Sequence, residues 1–145
     1  MRSVVPGLCS VTLRQCTPRE VVDVCVRAGL KAVEWGGDIH VPHGDLVRAR
    51  EAVRLCAEEG IGILSYGSYF RLGAESGSPD FGAVLDTAAT LGAKTIRIWA
   101  GDRPSAQMDE AYRARLVAEC RRVAEDARRA GMEVGLEYHR TTATD

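Results

Sequence analysis

The sequence predicts an α/β fold with a parallel sheet, and more narrowly a partial (β/α)8 barrel of about five strands and four helices. Three observations lead to this prediction. Helical and strand patterns alternate strictly along the 145 residues, which implies parallel pairing. A glycine, the usual residue just past a helix end, stands between each helix and the next strand, and the spacings of 31, 32 and 39 residues suit αβ units. The later strands alternate apolar with charged residues. The four glycines are Gly29, Gly60, Gly92 and Gly131.

The first strand is predicted at about 5–12, and the first helix follows it. Thr17 is the expected N-cap, Pro18 occupies the first helical position, and Glu20 closes a capping box. The predicted apolar face of this helix consists of Val21, Val22, Cys25, Val26 and Ala28.

The remaining elements are predicted from apolar periodicity. The strands are expected at about 31–35, 61–66, 95–99 and 133–138, and the helices at about 45–59, from Pro79 onward, and at about 109–130. The second helix has one apolar stripe, formed by Leu46, Ala49, Val53 and Cys56. The third helix has another, formed by Phe81, Val84, Leu85, Ala88 and Leu91. The Gly- and Ser-rich segment Arg71–Pro79 is expected to be a mobile loop.

Strand composition favours a barrel over an open doubly wound sheet. Strands of an open parallel sheet are covered on both faces and read as continuous apolar runs. Here Glu34 interrupts one apolar run and Arg97 another. The last strand sets Val134, Leu136 and Tyr138 against Gly135, Glu137 and His139. Charged residues near the carboxyl ends of strands suit the mouth of a barrel, and no Gly-rich phosphate loop follows the first strand.

Composition excludes several classes of protein. The formal net charge of -1 and the pI of about 6.3 offer no attraction to nucleic acid or to an anionic membrane. No apolar run is long enough for a membrane span, and the N-terminus does not have the pattern of a secretory signal. Five cysteines without a CxxC pair indicate a reducing, cytoplasmic location rather than a disulfide framework. Three of them lie in helical apolar patterns and are expected in the core: Cys25, Cys56 and Cys120.

Polar residues at strand ends are the candidates for chemistry. Glu137 and His139 end the last strand on one face, where the carboxylate could ligate a divalent metal and the imidazole could contact a hydroxylated substrate. Glu34 has the same position on the second strand. Either glutamate could instead form an internal ion pair with Arg97, and the spacing leaves both roles open.

Other residues near strand ends are candidate ligand contacts. His40 lies in GGDIHVPHG, a loop leaving the second strand, and is favoured over His43 because it is closer to the strand end. Tyr66 and Trp99 at strand ends could form an apolar wall for a sugar, or pack in the core. GxSxG, HExxH and Walker motifs are absent from the sequence.

At EWGGDIH, TIRIWAG and GLEYH the sequence resembles the sugar phosphate isomerase/epimerase superfamily, the xylose-isomerase-like TIM barrels, and the resemblance extends over the whole chain. It implies an enzyme that isomerises or epimerises sugars by proton transfer through an enediol, assisted by a divalent metal (Mn, Mg, Co or Zn). Carried over by position, Glu137 matches a metal ligand that also shuttles the proton. His139 matches a residue near the substrate, Glu34 and His40 match pocket positions, and Trp99 matches a wall residue.

The sequence also departs from the family pattern. The resemblance places the other metal ligands on strands six to eight, whereas the sequence ends at Asp145. We therefore expect residues 1–145 to be the N-terminal half of a barrel that is truncated here or completed by self-association through open sheet edges. The isolated chain is expected to be inactive.

Three alternative functions remain beside the sugar isomerase. One is an inosose-type dehydratase of the same superfamily, and another is a non-catalytic, sugar-binding half barrel. The third, the endonuclease branch, is disfavoured because the third and fourth strands end in SYGSYF and RIWAG, without the zinc-binding histidines of that branch.

Overall fold

The five strands of the chain form one parallel sheet, as a computed structural model shows for residues 4–74 and 77–145. The strands are β1 (Gly7–Cys9), β2 (Ala32–Gly36), β3 (Gly62–Arg71), β4 (Thr95–Trp99) and β5 (Glu133–Glu137). The helices are α1 (Pro18–Arg27), α2 (Leu46–Glu58), α3 (Phe81–Leu91) and α4 (Glu110–Arg129). Short 3-10 turns follow β1 at Ser10–Leu13 and precede α4 at Ser105–Gln107.

The order of the strands distinguishes the two architectures that the sequence allowed. The sheet has the order β1-β2-β3-β4-β5, so each strand pairs with its successor in the chain. A doubly wound sheet reverses its order at a switch point, and the described sheet does not. The prediction of a partial (β/α)8 barrel is therefore confirmed.

One face of the sheet packs beneath the helices and the other remains partly open. Val33, Trp35, Ile96 and Ile98 are at most 1% exposed and belong to the core shared with the helices. The alternating residues, including Glu34, Arg97 and Trp99, are only partly buried. This two-sidedness places the charged strand residues on the inner face of the partial barrel.

Side-chain caps fix where the helices begin. Thr17 and Glu20 form the predicted capping box, and Asp45 accepts a hydrogen bond from the backbone of Arg48 at the start of α2. The prediction for the apolar face of α1 was partly wrong. Val26 is 44% exposed and Ala28 lies beyond the helix, because the covered stripe of α1 is narrow and includes only Val21, Val22 and Cys25.

The boundaries of two strands also differ from the prediction. β1 stops at Cys9 because the chain then turns, and Ser10 anchors the turn by accepting a hydrogen bond from the Gly36 amide at 2.9 Å. β3 continues to Arg71 through an irregularity after Gly67 that no apolar run announces. Glu75 and Ser76 of the predicted mobile loop lie outside the described residues, so that prediction remains open.

Cysteine placement follows the prediction in part. Cys25 and Cys56 are buried, Cys120 is partly buried, and no disulfide joins the five cysteines in the described part of the chain. None of the helices within residues 4–74 and 77–145 combines the length and the apolar character needed to cross a membrane.

Candidate functional site

A recess of about 560 Å³ opens at the carboxyl ends of the strands. Ligand sites of barrels occupy this end of the sheet. The side chains that line the recess include Glu34, Tyr69, Arg97, Trp99, Glu137 and His139. Four of the six residues predicted as site residues are therefore brought together: Glu34, Trp99, Glu137 and His139.

Arg97 connects the two glutamates of the recess. Its Nε donates to Glu34 Oε1 at 3.0 Å, and its Nη1 contacts Glu137 Oε2. Trp99 Nε1 donates to the same Oε2 of Glu137. The side chain of Arg97 is 18% exposed and that of Glu137 is 32% exposed, so the pairing is largely shielded from water while Glu137 stays accessible.

Glu34 is held as a carboxylate by several donors. Burial alone would raise its pKa, but hydrogen bonds from Ser65 and Cys9, together with the charge of Arg97, lower the pKa below the ordinary value. Ser65 Oγ donates at 2.7 Å and Cys9 Sγ at 3.1 Å. Burial, reinforced by Glu34, in turn raises the pKa of the Cys9 thiol to about 11, so Cys9 stays protonated at neutral pH.

Two carboxylates also secure the charge of Arg97. Burial would lower its pKa, but the charges of Glu34 and Glu137 outweigh that effect and raise the pKa. The recess therefore contains a fixed cation between two anions, and these three groups together carry one negative charge.

The register of the sheet explains this arrangement. Trp99 pairs with Glu137 across β4 and β5, and Arg97 pairs with Gly67 across β3 and β4. A Cβ at Gly67 would lie 2.6 Å from an Arg97 guanidinium nitrogen and 3.2 Å from Glu34 Oε1. Glycine at this position leaves room for the ion pair, and any larger residue would have to displace the guanidinium.

An aromatic wall stands beside the charged groups. The rings of Trp99 and His139 stack with centroids 4.8 Å apart, and Tyr69 meets Trp99 edge-on at 5.2 Å. The guanidinium carbon of Arg71 lies 3.8 Å from the Trp99 ring centroid. His139 is oriented by Thr141, whose hydroxyl lies 2.9 Å from Nδ1.

Tyr69 was not among the predicted site residues. Its ring lines the recess, and its hydroxyl accepts a hydrogen bond from Arg14 at 3.1 Å. The polar and aromatic run SYGSYF after the third apolar run was the available signal. In the sequence that run indicated only the lack of zinc-binding histidines, and its tyrosines gave no sign of which ring would face the recess.

His40 and Tyr66 lie outside the recess. His40 is 1% exposed, with Nδ1 3.0 Å from Ser10 Oγ and Nε2 3.2 Å from the Cys16 carbonyl oxygen. Tyr66 is fully buried and donates its hydroxyl to the Val41 carbonyl at 2.8 Å, and burial raises its pKa. Both side chains pack in the interior with their polar atoms engaged, so their placement does not support the predicted substrate contact.

The residues present do not by themselves fit a metal centre. Within residues 4–74 and 77–145, no group of three His, Cys, Asp or Glu side chains is arranged to hold a metal ion. Glu137, the residue predicted as a ligand, contacts Arg97 and Trp99 instead. Glu137 could supply one ligand to a metal bound mainly by other groups.

The geometry suits recognition of a hydroxylated molecule. Carboxylate oxygens accept hydrogen bonds from hydroxyl groups, and an aromatic wall packs against the apolar face of a sugar ring. The partly exposed carboxylate of Glu137, which faces the recess, can also accept a proton.

Comparisons with solved structures show what the fold is similar to. The probable 3-DHS dehydratase AsbF from Bacillus anthracis is 20% identical with a TM-score of 0.79, and the match covers 98% of this chain and 55% of that one. The IolI protein, solved with a zinc atom, is 13% identical with a TM-score of 0.72, at 92% and 51% coverage. D-psicose 3-epimerase, solved with D-fructose, is 17% identical with a TM-score of 0.67, at 90% and 51% coverage. The chain thus spans about half the length of these structures.

Sequence comparison identifies the family. A search of curated protein sequences finds no match to this chain. A family model described as xylose isomerase-like TIM barrel matches residues 22–145. Because that match covers most of the sequence, the chain belongs to the xylose isomerase-like TIM barrel family.

Proposed function

We propose that this chain provides the substrate recess of an enzyme that isomerises or epimerises a sugar or a sugar phosphate by proton transfer next to a carbonyl group. The observation that carries the proposal is the placement of Glu137. It ends β5, is partly exposed to the recess, and is oriented by Arg97 and Trp99 beside an aromatic wall. The solved D-psicose 3-epimerase, which shares the fold, is consistent with this class of reaction.

Each group of the recess has a role in the proposed reaction. The apolar face of the sugar packs against the aromatic wall formed by Tyr69, Trp99 and His139, and Glu34 accepts a hydrogen bond from a sugar hydroxyl. Glu137 removes a proton from the carbon beside the carbonyl. The electron pair of the broken C–H bond forms a C=C bond, and the carbonyl π pair moves to the oxygen to give an enediolate. Arg97 provides a cation near the enediolate oxygen that forms. The proton of the neighbouring hydroxyl then moves to the enediolate oxygen while Glu137 returns its proton to the former carbonyl carbon, and this gives the isomer.

A divalent metal remains an expectation drawn from the family resemblance and from the zinc atom in the IolI structure. When bound, such a metal would polarise the carbonyl and acidify the adjacent C–H. Since the described residues of this chain do not form a metal centre, no step above depends on one.

A dehydratase of the inosose type is the second candidate. Its reaction begins with the same removal of a proton beside a carbonyl. The enediolate then expels the hydroxyl group of the next carbon, which leaves as water with the proton that Glu137 has taken up. The observation that favours this candidate is the similarity of the fold to AsbF, a probable 3-DHS dehydratase, with a TM-score of 0.79. A sugar-binding protein without turnover is the third.

The test replaces Glu137 with glutamine in the complete protein that carries this sequence. The protein is incubated with D-fructose, D-psicose and D-xylose in D2O, and NMR follows the exchange of carbon-bound hydrogen. We expect the wild type to exchange hydrogen and Glu137→Gln to be slower by about 10²-fold or more, because the base is removed. Glu133→Gln is the matched control, since Glu133 lies on the same strand about 13 Å away and is exposed.

The products distinguish the candidates. Exchange accompanied by a new ketose or aldose supports the isomerase, and exchange accompanied by loss of water supports the dehydratase. Binding of the sugars without exchange supports the non-catalytic protein and contradicts our proposal. Equal exchange in the wild type and Glu137→Gln would remove Glu137 from its role as base.

A further inference from the structure

We propose that Tyr69 is a substrate-contacting residue that a strained backbone holds in the recess, where its ring forms a second wall against the carbon chain of a polyhydroxylated ligand. This inference rests on the proposed function. It adds a residue that neither the sequence pattern nor the family match assigns.

The backbone conformation of Tyr69 is the first observation. Tyr69 has a φ of 57°, and it is the one non-glycine residue with a positive φ among residues 4–74 and 77–145. A bulky side chain avoids this left-handed region because its Cβ crowds the backbone. Such strain persists only where the surroundings enforce it, and it is concentrated at functional sites.

Buried groups on both sides of Tyr69 enforce the conformation. Ser68 is fully buried, its hydroxyl donates to the Arg97 carbonyl at 2.8 Å, and it accepts from the Phe70 amide at 3.2 Å. Phe70 is 4% exposed and packs on Phe81 with ring centroids 5.0 Å apart. The pairing of β3 with β4 shifts register between Gly67 and Arg71, so Tyr69 sits on a bulge. Bulges are enriched beside active sites, where they redirect a side chain.

The ring of Tyr69 lies where a ligand would need a wall. It is only partly buried, unlike Ser68 and Phe70 on either side, and it lines the recess. The Tyr69 ring meets Trp99 edge-on, and the Arg97 guanidinium carbon lies 5.6 Å from the Tyr69 ring centroid. Tyr69 therefore lies beside Trp99 and Arg97, two groups of the proposed reaction. Ser68 and Phe70 fill the core on either side of Tyr69, so the strained backbone at Tyr69 directs its ring into the recess instead.

The chemistry of the part of the recess lined by Tyr69 and Trp99 indicates the class of ligand. The rings of Tyr69 and Trp99 meet at an interplanar angle of 61°, so the exposed parts of the two rings suit a molecule with C–H groups on more than one side. Glu34 and Glu137 accept hydrogen bonds on the same recess. Arg14, the cation that holds the Tyr69 hydroxyl, is paired with Asp38. This part of the recess therefore fits the carbon chain of a polyhydroxylated ligand.

The test measures ligand affinity and stability together. In the complete protein, Tyr69→Ala, Tyr69→Gly and Tyr69→Phe are titrated by calorimetry with D-fructose and D-psicose, and their melting temperatures are recorded. Tyr138→Ala is the matched control, because Tyr138 is 84% exposed and does not line the recess.

We expect Tyr69→Ala and Tyr69→Gly to bind about three- to tenfold more weakly, as loss of an aromatic contact predicts, while Tyr69→Phe and Tyr138→Ala bind like the wild type. Tyr69→Gly should melt at or above the temperature of Tyr69→Ala. This reverses the usual order of the two residues, since glycine alone relieves the strain.

Failure of this inference can be told apart from failure of the proposed function. A wild type that binds neither sugar contradicts the proposed function itself. A wild type that binds, with Tyr69→Ala binding equally well, contradicts only the role of Tyr69. A Tyr69→Gly variant that melts below Tyr69→Ala contradicts the argument from strain.

Discussion

Arg97 is the residue around which the recess is organised. Its guanidinium contacts a carboxylate from β2 and another from β5, and its space is provided by Gly67 on β3. A partly buried charge is costly unless it is paired, so each of these residues depends on the others. Charged side chains from three strands, β2, β4 and β5, thus contact one another on the inner face of the sheet, and β3 provides the space between them.

A consequence of this pairing is a dependence of stability on pH through Glu34. The pKa of Glu34 is below its ordinary 4.5 in the folded state, so its carboxylate stabilises the fold at neutral pH. This contribution is fully present above about pH 4.5 and is lost as the pH falls through the lower pKa of the folded state.

Glu34→Gln should therefore destabilise the protein by about 1–2 kcal/mol at pH 7, and the difference from the wild type should shrink between pH 4.5 and pH 2. Chemical denaturation at a series of pH values measures this. Glu133→Gln, on an exposed residue, should show no such trend. A difference that stays constant with pH would contradict the role given to Glu34.

The sequence could predict the members of the site better than their contacts. Glu34 and Glu137 were recognisable because charge interrupts an apolar strand, but the choice between ligand and ion pair stayed open until Arg97 was located. His40 shares its loop with glycines and a second histidine, and only the packing of Ser10 and Cys16 against it shows that it is buried. Tyr69 was missed because its left-handed φ results from tertiary contacts, which no local pattern encodes.

Among the elements, β3 contributes most to the shape of the recess. The other strands are three to five residues long, whereas β3 extends over ten residues and shifts its register against both neighbours, opposite Val33 and Glu34 of β2 and between Gly67 and Arg71 against β4. Its first half was predictable from its apolar residues. In its second half the Ser68 hydroxyl accepts from the Phe70 amide and donates to the Arg97 carbonyl of β4, and the register against β4 shifts, so strand periodicity could not define where β3 ends.

The hydroxyl of Ser68 should therefore be necessary for the geometry of β3. Ser68→Ala leaves the Phe70 amide and the Arg97 carbonyl without this partner, and we expect a loss of about 1–3 kcal/mol in the free energy of unfolding. Ser105→Ala, at an exposed position, should change it by less than about 0.5 kcal/mol. Urea denaturation of both variants measures the difference, and equal stability would show that the bulge does not need the hydroxyl.

At the scale of the whole molecule, the described sheet has two parallel edges, β1 and β5. Apolar side chains are also exposed at the β5 edge, with Leu136 of β5 43% accessible and Tyr138, the residue after the end of β5, 84% accessible. Unpaired edges beside apolar surface favour association. The alternation of helices and strands predicted this sheet, whereas no local pattern encodes what lies against its edges.

We therefore expect the 145-residue chain to self-associate as its concentration rises. The double substitution Leu136→Lys and Tyr138→Lys should reduce this association, because charge opposes burial of the β5 face. Val47→Lys is the control, since Val47 is 71% exposed on α2, away from both edges. Light scattering over a range of concentrations measures the effect, and association that is unchanged in the double variant would exclude this face.

The two tryptophans of the chain stand in opposite environments. Trp35 is completely buried in the core, whereas the indole N–H of Trp99 donates to Glu137 at the recess. Their fluorescence therefore carries two separable signals. We expect emission from Trp35 to report whether the domain is folded, and quenching of the partly exposed Trp99 by acrylamide to report whether the recess is occupied. The protein thus contains an optical probe of its own candidate site, and no label has to be attached.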